Sequence, residues 1–440
     1  MRLSGIRPSA RAFWLWGAIT LLFVAAWIVP ALVWVALGLD LVVAVLVVVD
    51  GWDARGRRVE LVRTLPPTVY QGEPTLLTVA VTNPSARPLV VRLREVLPAA
   101  LADESVELLL TVPPSSTLTQ TVPLIPRLRQ HATLATAAVR LAGRWGLAWA
   151  ERRLGDPVAV KVYPKVHHEG ETGMVLRQAL ERRDGAHARN LHGPSTEVAS
   201  LRDYQPGDDF RAVQWKATAR RGKPVTAERT WEQRQRLAIL LDIGRPMAGI
   251  DGVWTRFDHA LSAAIALARV ASTWGDEVTI VLFSRTIRRV VRTGGRTRDF
   301  AAVFEALHRE QADAMEPDWD ALVRWCAVGL PRRTLTVVCT SVVDPGTADR
   351  LTGSLVALAQ RHRPLLVNLA DPAVAANARA VPTDALGAFA KVTAMSIEED
   401  IRRLEVRLRG AGVATVTASA DRLTLGMLRG WMELKARRGG

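Results

Sequence analysis

Between Phe13 and Val49 the chain carries a single charged residue, Asp40, in 37 positions. A run of that kind must be buried in protein or in lipid. As one helix it would extend about 55 Å at about 1.5 Å per residue, against a hydrocarbon core of about 30 Å. It therefore has to fold back, and Pro30 supplies the turn. The expectation is a transmembrane hairpin within 13–50, with spans at 13–29 and 31–49. Trp14, Trp16, Trp27 and Trp34 lie toward the span ends, where indoles favour the interface. Arg2, Arg7 and Arg11 precede the first span, and Arg55, Arg57, Arg58 and Arg63 follow the second. Both termini, including the tail 1–12, are therefore expected on the cytoplasmic side. A cleaved signal peptide is the competing reading. It fits poorly, because a second apolar span follows at once without a small-residue cleavage site before it. Asp40 falls near the middle of the second span, where a carboxyl is costly. A protonated side chain hydrogen-bonded within the hairpin or to a neighbouring copy is the expectation there.

The formal charge is +15, from 58 Lys and Arg against 43 Asp and Glu. Only 6 of the cations are Lys, and with the abundance of Ala and Val that skew points to a GC-rich bacterial genome. The cations are interleaved with acids, so a nucleic-acid surface is not the expected use. An anionic leaflet suits the excess better. The bacterial inner membrane is the expected location, with a multi-pass topology. Two cysteines, Cys326 and Cys339, have no partner His nearby in sequence, which excludes a disulfide framework and a zinc pattern. Cys339 lies in an apolar run, so a buried, reduced thiol is expected.

Beyond the hairpin, 58–163 reads as a small all-β sandwich. Runs such as 75–81 and 89–93 are β-rich, and Pro66-Pro67, Gly72, Asn83-Pro84 and Pro113-Pro114 punctuate them. Gly143-Arg144-Trp145-Gly146-Leu147 reads as a turn into a closing strand. A polar connector follows over 164–236. From 237 to 437 strands and helices alternate, with strands expected at 237–243, 277–283, 287–291, 335–340, 365–369 and 413–417. That alternation predicts an α/β domain with a mostly parallel sheet covered on both faces.

The most distinctive stretch begins at Ser200 in the connector. Pro206-Gly207 is a turn signal, and Asp208 and Asp209 face Arg202, Arg211 and Arg220, with Tyr204 and Trp215 interleaved. Paired carboxylates can serve acid/base catalysis. Carboxylates held by guanidiniums are also structural clasps, and no nucleophile–base set accompanies these. The stretch closely resembles the signature of the bacterial domain-of-unknown-function 58 family, approximately Arg-x-Tyr-x-Pro-Gly-Asp-Asp-x-Arg-x-Ile-x-Trp-x-x-Ala-Arg. Arg202, Tyr204, Pro206, Gly207, Asp208, Asp209, Arg211, Trp215, Ala219 and Arg220 match, and Val213 replaces Ile. Glu197, the run 238–242 and the Val162-Tyr163-Pro164 step fit as well.

The resemblance implies a C-terminal domain similar to a von Willebrand factor A domain. Such domains often hold a divalent cation through Asp-x-Ser-x-Ser after the first strand. In this chain Gly244 and Pro246 stand where the hydroxyls belong, which leaves Asp242 as the surviving candidate ligand. Ser341 takes the place of the usual Asp after the fourth strand, with Asp344 three residues on. No metal or other cofactor is therefore expected, Mg²⁺ included. Members of the family are commonly encoded beside MoxR-type AAA+ ATPases. The resemblance thus implies a membrane-tethered adaptor, working with such an ATPase in assembly or maturation of client proteins. The expected partner face is the C-terminal edge of the sheet: Asp242, Gly244, Arg245, Ser341 and Asp344. An enzyme built on the Asp208/Asp209/Arg cluster and a basic nucleic-acid-binding protein are the alternatives. The sequence sets neither the client nor the oligomeric state.

Overall fold

The computed structural model describes residues 5–102, 104–165, 198–205, 213–229, 235–293, 300–342 and 345–436. The chain divides into two compact units, Met1–Lys165 and Val166–Gly440.

The first unit opens with a short strand, β1 (Ile6–Pro8), followed by two apolar helices, α1 (Ala10–Ala25) and α2 (Leu32–Gly56). They pack on each other through Ala12, Ile19, Ala36, Val43 and Val47. Among the described residues one helix, α2, is long and apolar enough to cross a membrane. At 25 residues it measures about 37 Å. α1 is apolar but has 16 residues, about 24 Å, shorter than the span expected at 13–29. The helix boundaries also depart from the expected span at the other end. α2 runs past Val49 through Asp50 to Gly56, because Asp50 is fully buried and bonded to another part of the unit.

Ten further strands follow: β2 (Glu60–Thr64), β3 (Thr68–Tyr70), β4 (Thr75–Asn83), β5 (Leu89–Glu95), β6 (Val106–Val112), β7 (Ser116–Leu124), β8 (His131–Leu134), β9 (Ala137–Ala142), β10 (Ala148–Leu154) and β11 (Val158–Tyr163). They form sheets in the orders β1-β10-β9-β5-β6, β2-β4-β7 and β3-β11-β8. Strand alternation sends Leu77, Val79 and Val81 of β4 inward, to meet Val91, Val139, Leu134 and Val162 in one common core. Within that core Arg63 pairs with Glu95 and donates to the Ala135 and Asp156 carbonyls. Burial pushes the Glu95 carboxyl above its ordinary range, and the Arg63 hydrogen bond and charge oppose that rise.

One turn, 143–148, holds both ends of the helix pair. Ser9, the N-cap of α1, donates its backbone N–H to the Leu147 carbonyl (2.8 Å) and its hydroxyl to the Gly146 carbonyl (2.6 Å). At the end of α2, the Asp50 carboxylate accepts the N–H groups of Trp145 (2.8 Å), Leu147 (2.7 Å) and Ala148 (2.9 Å). Gly143 must be glycine for this approach, since a Cβ there would lie 2.3 Å from the Asp50 carboxyl carbon. Gly146 turns the chain at φ +68°. Beside them β1 pairs antiparallel with β10, Arg7 opposite Trp149.

The first described elements of the second unit are an antiparallel pair, β12 (Val198–Asp203) and β13 (Val225–Arg229), with the short helix α3 (Trp215–Arg221) between them. The remaining strands are β14 (Arg236–Asp242), the small hairpin β15 (Ile250–Asp251) and β16 (Trp254–Thr255), β17 (Glu277–Phe283), β18 (Ile287–Thr293), β19 (Leu335–Thr340), β20 (Arg363–Leu369) and β21 (Ala414–Ala418). Among the described residues they give a six-stranded sheet in the order β18-β17-β14-β19-β20-β21. It is parallel except for the edge strand β18.

The helices are α4 (Arg256–Thr273), α5 (Phe300–Leu307), α6 (Trp319–Gly329), α7 (Pro345–Ala359), α8 (Pro372–Arg379), α9 (Ala385–Gly410) and α10 (Leu423–Ala436). α4 and α10 cover one face, burying Phe257 and Trp431. α6, α7 and the second half of α9 cover the other through Trp319, Leu355 and Leu404. Both cysteines are buried, as expected for Cys339. Burial pushes the Cys326 thiol up to about 12 and raises Cys339 as well. At the N-terminal edge of the sheet, Lys435 Nζ meets the buried Asp276 carboxylate at 2.6 Å. The same ammonium lies 4.9 and 5.1 Å from the Trp274 and Trp431 ring centres, which ties α10 to the strand ends.

Candidate functional site

The carboxyl ends of parallel strands form the natural crevice of an open α/β sheet. Here that edge is built around Asp242, the last residue of β14 and fully buried. Its Oδ1 accepts the Gly244 N–H at 2.7 Å and its Oδ2 accepts the Thr340 hydroxyl, from the end of β19, at 2.6 Å. Burial pushes the carboxyl up to about 6. The two hydrogen bonds work against that shift, and the negative charges of Asp313 and Glu316 add to it.

Gly244 lies tight against the 313–317 loop, where a Cβ would come within 2.6 Å of the Met315 carbonyl. Arg245 donates its backbone N–H to that carbonyl at 2.8 Å, and its guanidinium pairs with Glu316 at the surface. Ser284, after β17, donates to Asp313 at 2.9 Å. Ser341 is fully buried and donates to the Leu369 carbonyl at 2.8 Å, while Asn368 accepts the Val342 N–H at 2.9 Å. Of the expected partner face, then, Asp242, Gly244 and Ser341 are interior residues that set the loop geometry. Arg245 is on the surface, and Asp344 lies outside the described residues.

The residues do not fit a bound cation at Asp242. Both of its oxygens are engaged by donors, and Gly244 and Pro246 bring no side-chain oxygen. Sequence reasoning missed the rim around it. The β15–β16 hairpin, turning at Gly252 (φ +69°), exposes Ile250 (74%) and Val253, and Met315 is exposed beside Arg245. The Asp251-Gly252 step is a hairpin turn signal that could have found it. Arg256, at the start of α4, donates to the Pro246 carbonyl at 3.1 Å and pairs with Asp371, the N-cap of α8. A groove of about 650 Å³ adjoins the rim, lined by Arg285, Glu316, Asp318, Asp349 and Arg350.

The signature closes a separate feature. Tyr204 donates its N–H to the Pro224 carbonyl, Gln214 donates to Val225, and Val213 bridges to Thr226, so the signature loop is held at both ends by β13. Thr218 Oγ1 accepts the Val225 N–H at 3.1 Å. Trp215, whose burial a structural clasp would require, is 62% exposed as the first residue of α3, none of whose residues is buried. Val213, two positions earlier, is the buried one. Arg220 is exposed on α3 and Tyr204 half-buried. Pro206, Gly207, Asp208, Asp209 and Arg211 lie outside the described residues, as does the Arg202 side chain.

A parallel-sheet unit with this signature hairpin defines an α/β protein with an apolar N-terminal helix. Residues 200–386 match the family described as protein of unknown function DUF58, consistent with the signature residues. An uncharacterized protein of Mycobacterium tuberculosis is 26% identical over 191 residues, 43% of this chain and 59% of that protein. The match thus spans less than two thirds of its length. Uncharacterized protein YeaD of Bacillus subtilis is 44% identical over 48 residues, 11% of this chain and 12% of its own. Among solved structures, proximal thread matrix protein 1 of the mussel byssus is similar at a TM-score of 0.26. Its identity is 11% over 46% of each chain, a likeness too low to argue from.

Proposed function

We propose that the chain is a membrane-tethered protein-interaction adaptor whose α/β unit, of von Willebrand factor A-like type, docks partners on the rim beyond the C-terminal edge of its sheet. The observation that carries this reading is the division of labour at that edge. The carboxylate at the end of β14 is withdrawn into internal hydrogen bonds, while Met315, beside the Arg245–Glu316 pair, and Ile250 and Val253, on the hairpin that follows Arg245 in the chain, stand exposed. Apolar side chains ringed by charges suit protein docking. A MoxR-type AAA+ ATPase is the partner that the family resemblance suggests, acting with this chain on client proteins. The test is copurification of the detergent-solubilised full chain with its ATPase. Val253→Asp together with Arg245→Glu should weaken it at least tenfold without lowering the melting temperature, and undiminished copurification would move the interface elsewhere.

The tether is a hairpin of α1 and α2 with both ends on the cytoplasmic side. Support comes from the 143–148 turn, which binds Ser9 before α1 and Asp50 near the end of α2, so the pair leaves and rejoins the β-rich unit at one place. The Arg residues flanking both helices favour the cytoplasmic side. Reporters fused at the N-terminus and after Arg63 should both read cytoplasm. A periplasmic signal from the second would refute the hairpin.

A further inference from the structure

The bonds of the 143–148 turn fix its depth as well as its partner. The apolar stretch of α2, residues 32–49, extends about 27 Å, close to the hydrocarbon core of about 30 Å. With α1 and α2 as the tether, Asp50 is therefore the residue at which α2 leaves the hydrocarbon. Its carboxylate holds the Trp145, Leu147 and Ala148 amides at 2.8, 2.7 and 2.9 Å, so the turn lies at that same level. What faces the turn is then set by its position: it is the headgroup layer.

Two indoles share this level. Trp52, two residues past Asp50, is 54% exposed, and Trp145, whose own N–H is bonded to Asp50, is 44% exposed. Indoles concentrate at the membrane–water boundary, where the ring is shielded and the N–H stays hydrated.

The charge around the turn is cationic and not compensated from within. The three segments that meet there, 5–11, 50–58 and 143–153, carry eight arginines and three acids. All three acids are engaged: Asp50 by the turn amides, Asp53 by Arg57 at 2.9 Å and Glu151 by Arg140 at 3.1 Å. Arg144, on the turn itself, and Arg11, in the first turn of α1, are exposed, and neither has a hydrogen bond or ion pair among the described residues. Arg11 is nonetheless placed. Its guanidinium packs over Gly146 so closely that a Cβ there would meet Nη1 at 3.0 Å. The turn therefore carries one guanidinium on its own chain and a second packed against it. Guanidiniums with free N–H groups match phosphate oxygens, and an anionic leaflet supplies those oxygens at this depth.

We propose that the 143–148 turn is a lipid-headgroup site, at which Arg11 and Arg144 hold the phosphate of an anionic phospholipid of the cytoplasmic leaflet while Trp52 and Trp145 seat in the interface beside it. The site rests on the reading of α1 and α2 as the tether. It adds that the β-rich unit itself touches the bilayer, through residues separate from the docking rim at Arg245 and Val253.

Two measurements on the full chain test it. Cys326 and Cys339 are buried, so a spin label on Trp145→Cys reports the turn alone. In vesicles of phosphatidylcholine and phosphatidylglycerol that label should read the depth of headgroup-labelled lipid. Native mass spectrometry of the detergent-extracted chain should find phosphatidylglycerol retained in preference to phosphatidylcholine. Arg11→Gln together with Arg144→Gln should reduce that retention at least fivefold at an unchanged melting temperature, and excess inorganic phosphate should not displace the lipid. A label in bulk water, equal retention of the two lipids, or retention indifferent to the double substitution would overturn the proposal and leave the tether standing. Displacement by phosphate would do the same, by making the site one for a free anion. Release of the chain from vesicles by alkaline carbonate would remove the tether, and the headgroup site with it.

Discussion

Asp50 and Asp242 are both fully buried carboxylates, yet they sit in different units and serve different elements. Asp50 accepts three backbone N–H groups from one turn, 145, 147 and 148, all from a segment distant in sequence. Asp242 accepts one amide from its own loop and one hydroxyl, with two further acids nearby. Amide donors cannot turn away, so the first arrangement is a joint between helix and sheet. At the second, burial, with the neighbouring acids adding to it, pushes the carboxyl up to about 6 against one amide and one hydroxyl that can rotate. Burial alone therefore says little about what a carboxylate is for. The donors decide.

Substitution should separate the two most strongly at the joint. Asp50→Ala strands three buried amides and should cost the β-rich unit about 3–5 kcal/mol, read as a lower melting temperature and faster proteolysis around 143–148. A loss below about 1 kcal/mol would mean the turn holds without its carboxylate. At Asp242 the effect should depend on pH. The unfolded carboxyl ionises near its usual value and the folded one near 6, so the native state keeps a proton that the unfolded chain has released. Stability relative to Asp242→Asn should therefore fall as pH rises from about 4 to about 6, by about 3 kcal/mol, and stay level above that. Denaturation of both proteins at about pH 4, 5, 6 and 7.5 checks the slope, and a flat difference would show that Asp242 is ionised throughout. Thr340→Val removes the rotatable donor and should cost about 1–3 kcal/mol while moving that pH window upward. Arg245→Glu, at the surface, should stay within about 0.5 kcal/mol of the parent chain while changing partner binding.

Where pattern and burial coincide, the sequence was legible. β17 and β19 occupy 277–283 and 335–340 as expected, because uninterrupted apolar runs bounded by polar residues have one sensible place in a covered parallel sheet. The end of α2 was not legible. A charge at Asp50 reads as the edge of an apolar span, and only the folded turn reveals three amides waiting for it. The connector hid β12 and β13 because their pairing is non-local and their sequence polar. At the candidate site, the loss of the metal hydroxyls was visible in Gly244 and Pro246. The burial of Asp242 and Ser341, and the exposed hairpin at Ile250, depended on how loops stack over the strand ends.

The turn at 143–148 has a topological consequence. Because it binds both Ser9 and Asp50, everything from residue 10 to residue 49 is an excursion that begins and ends at a single point on the β-rich unit. The strands from Glu60 onward close their core without it, and β1 merely borders one sheet edge. Replacing 10–49 by a few glycines should therefore excise the helices as a loop is trimmed from a surface, leaving the register of β9 and β10 unchanged and Asp50 still seated on its three amides.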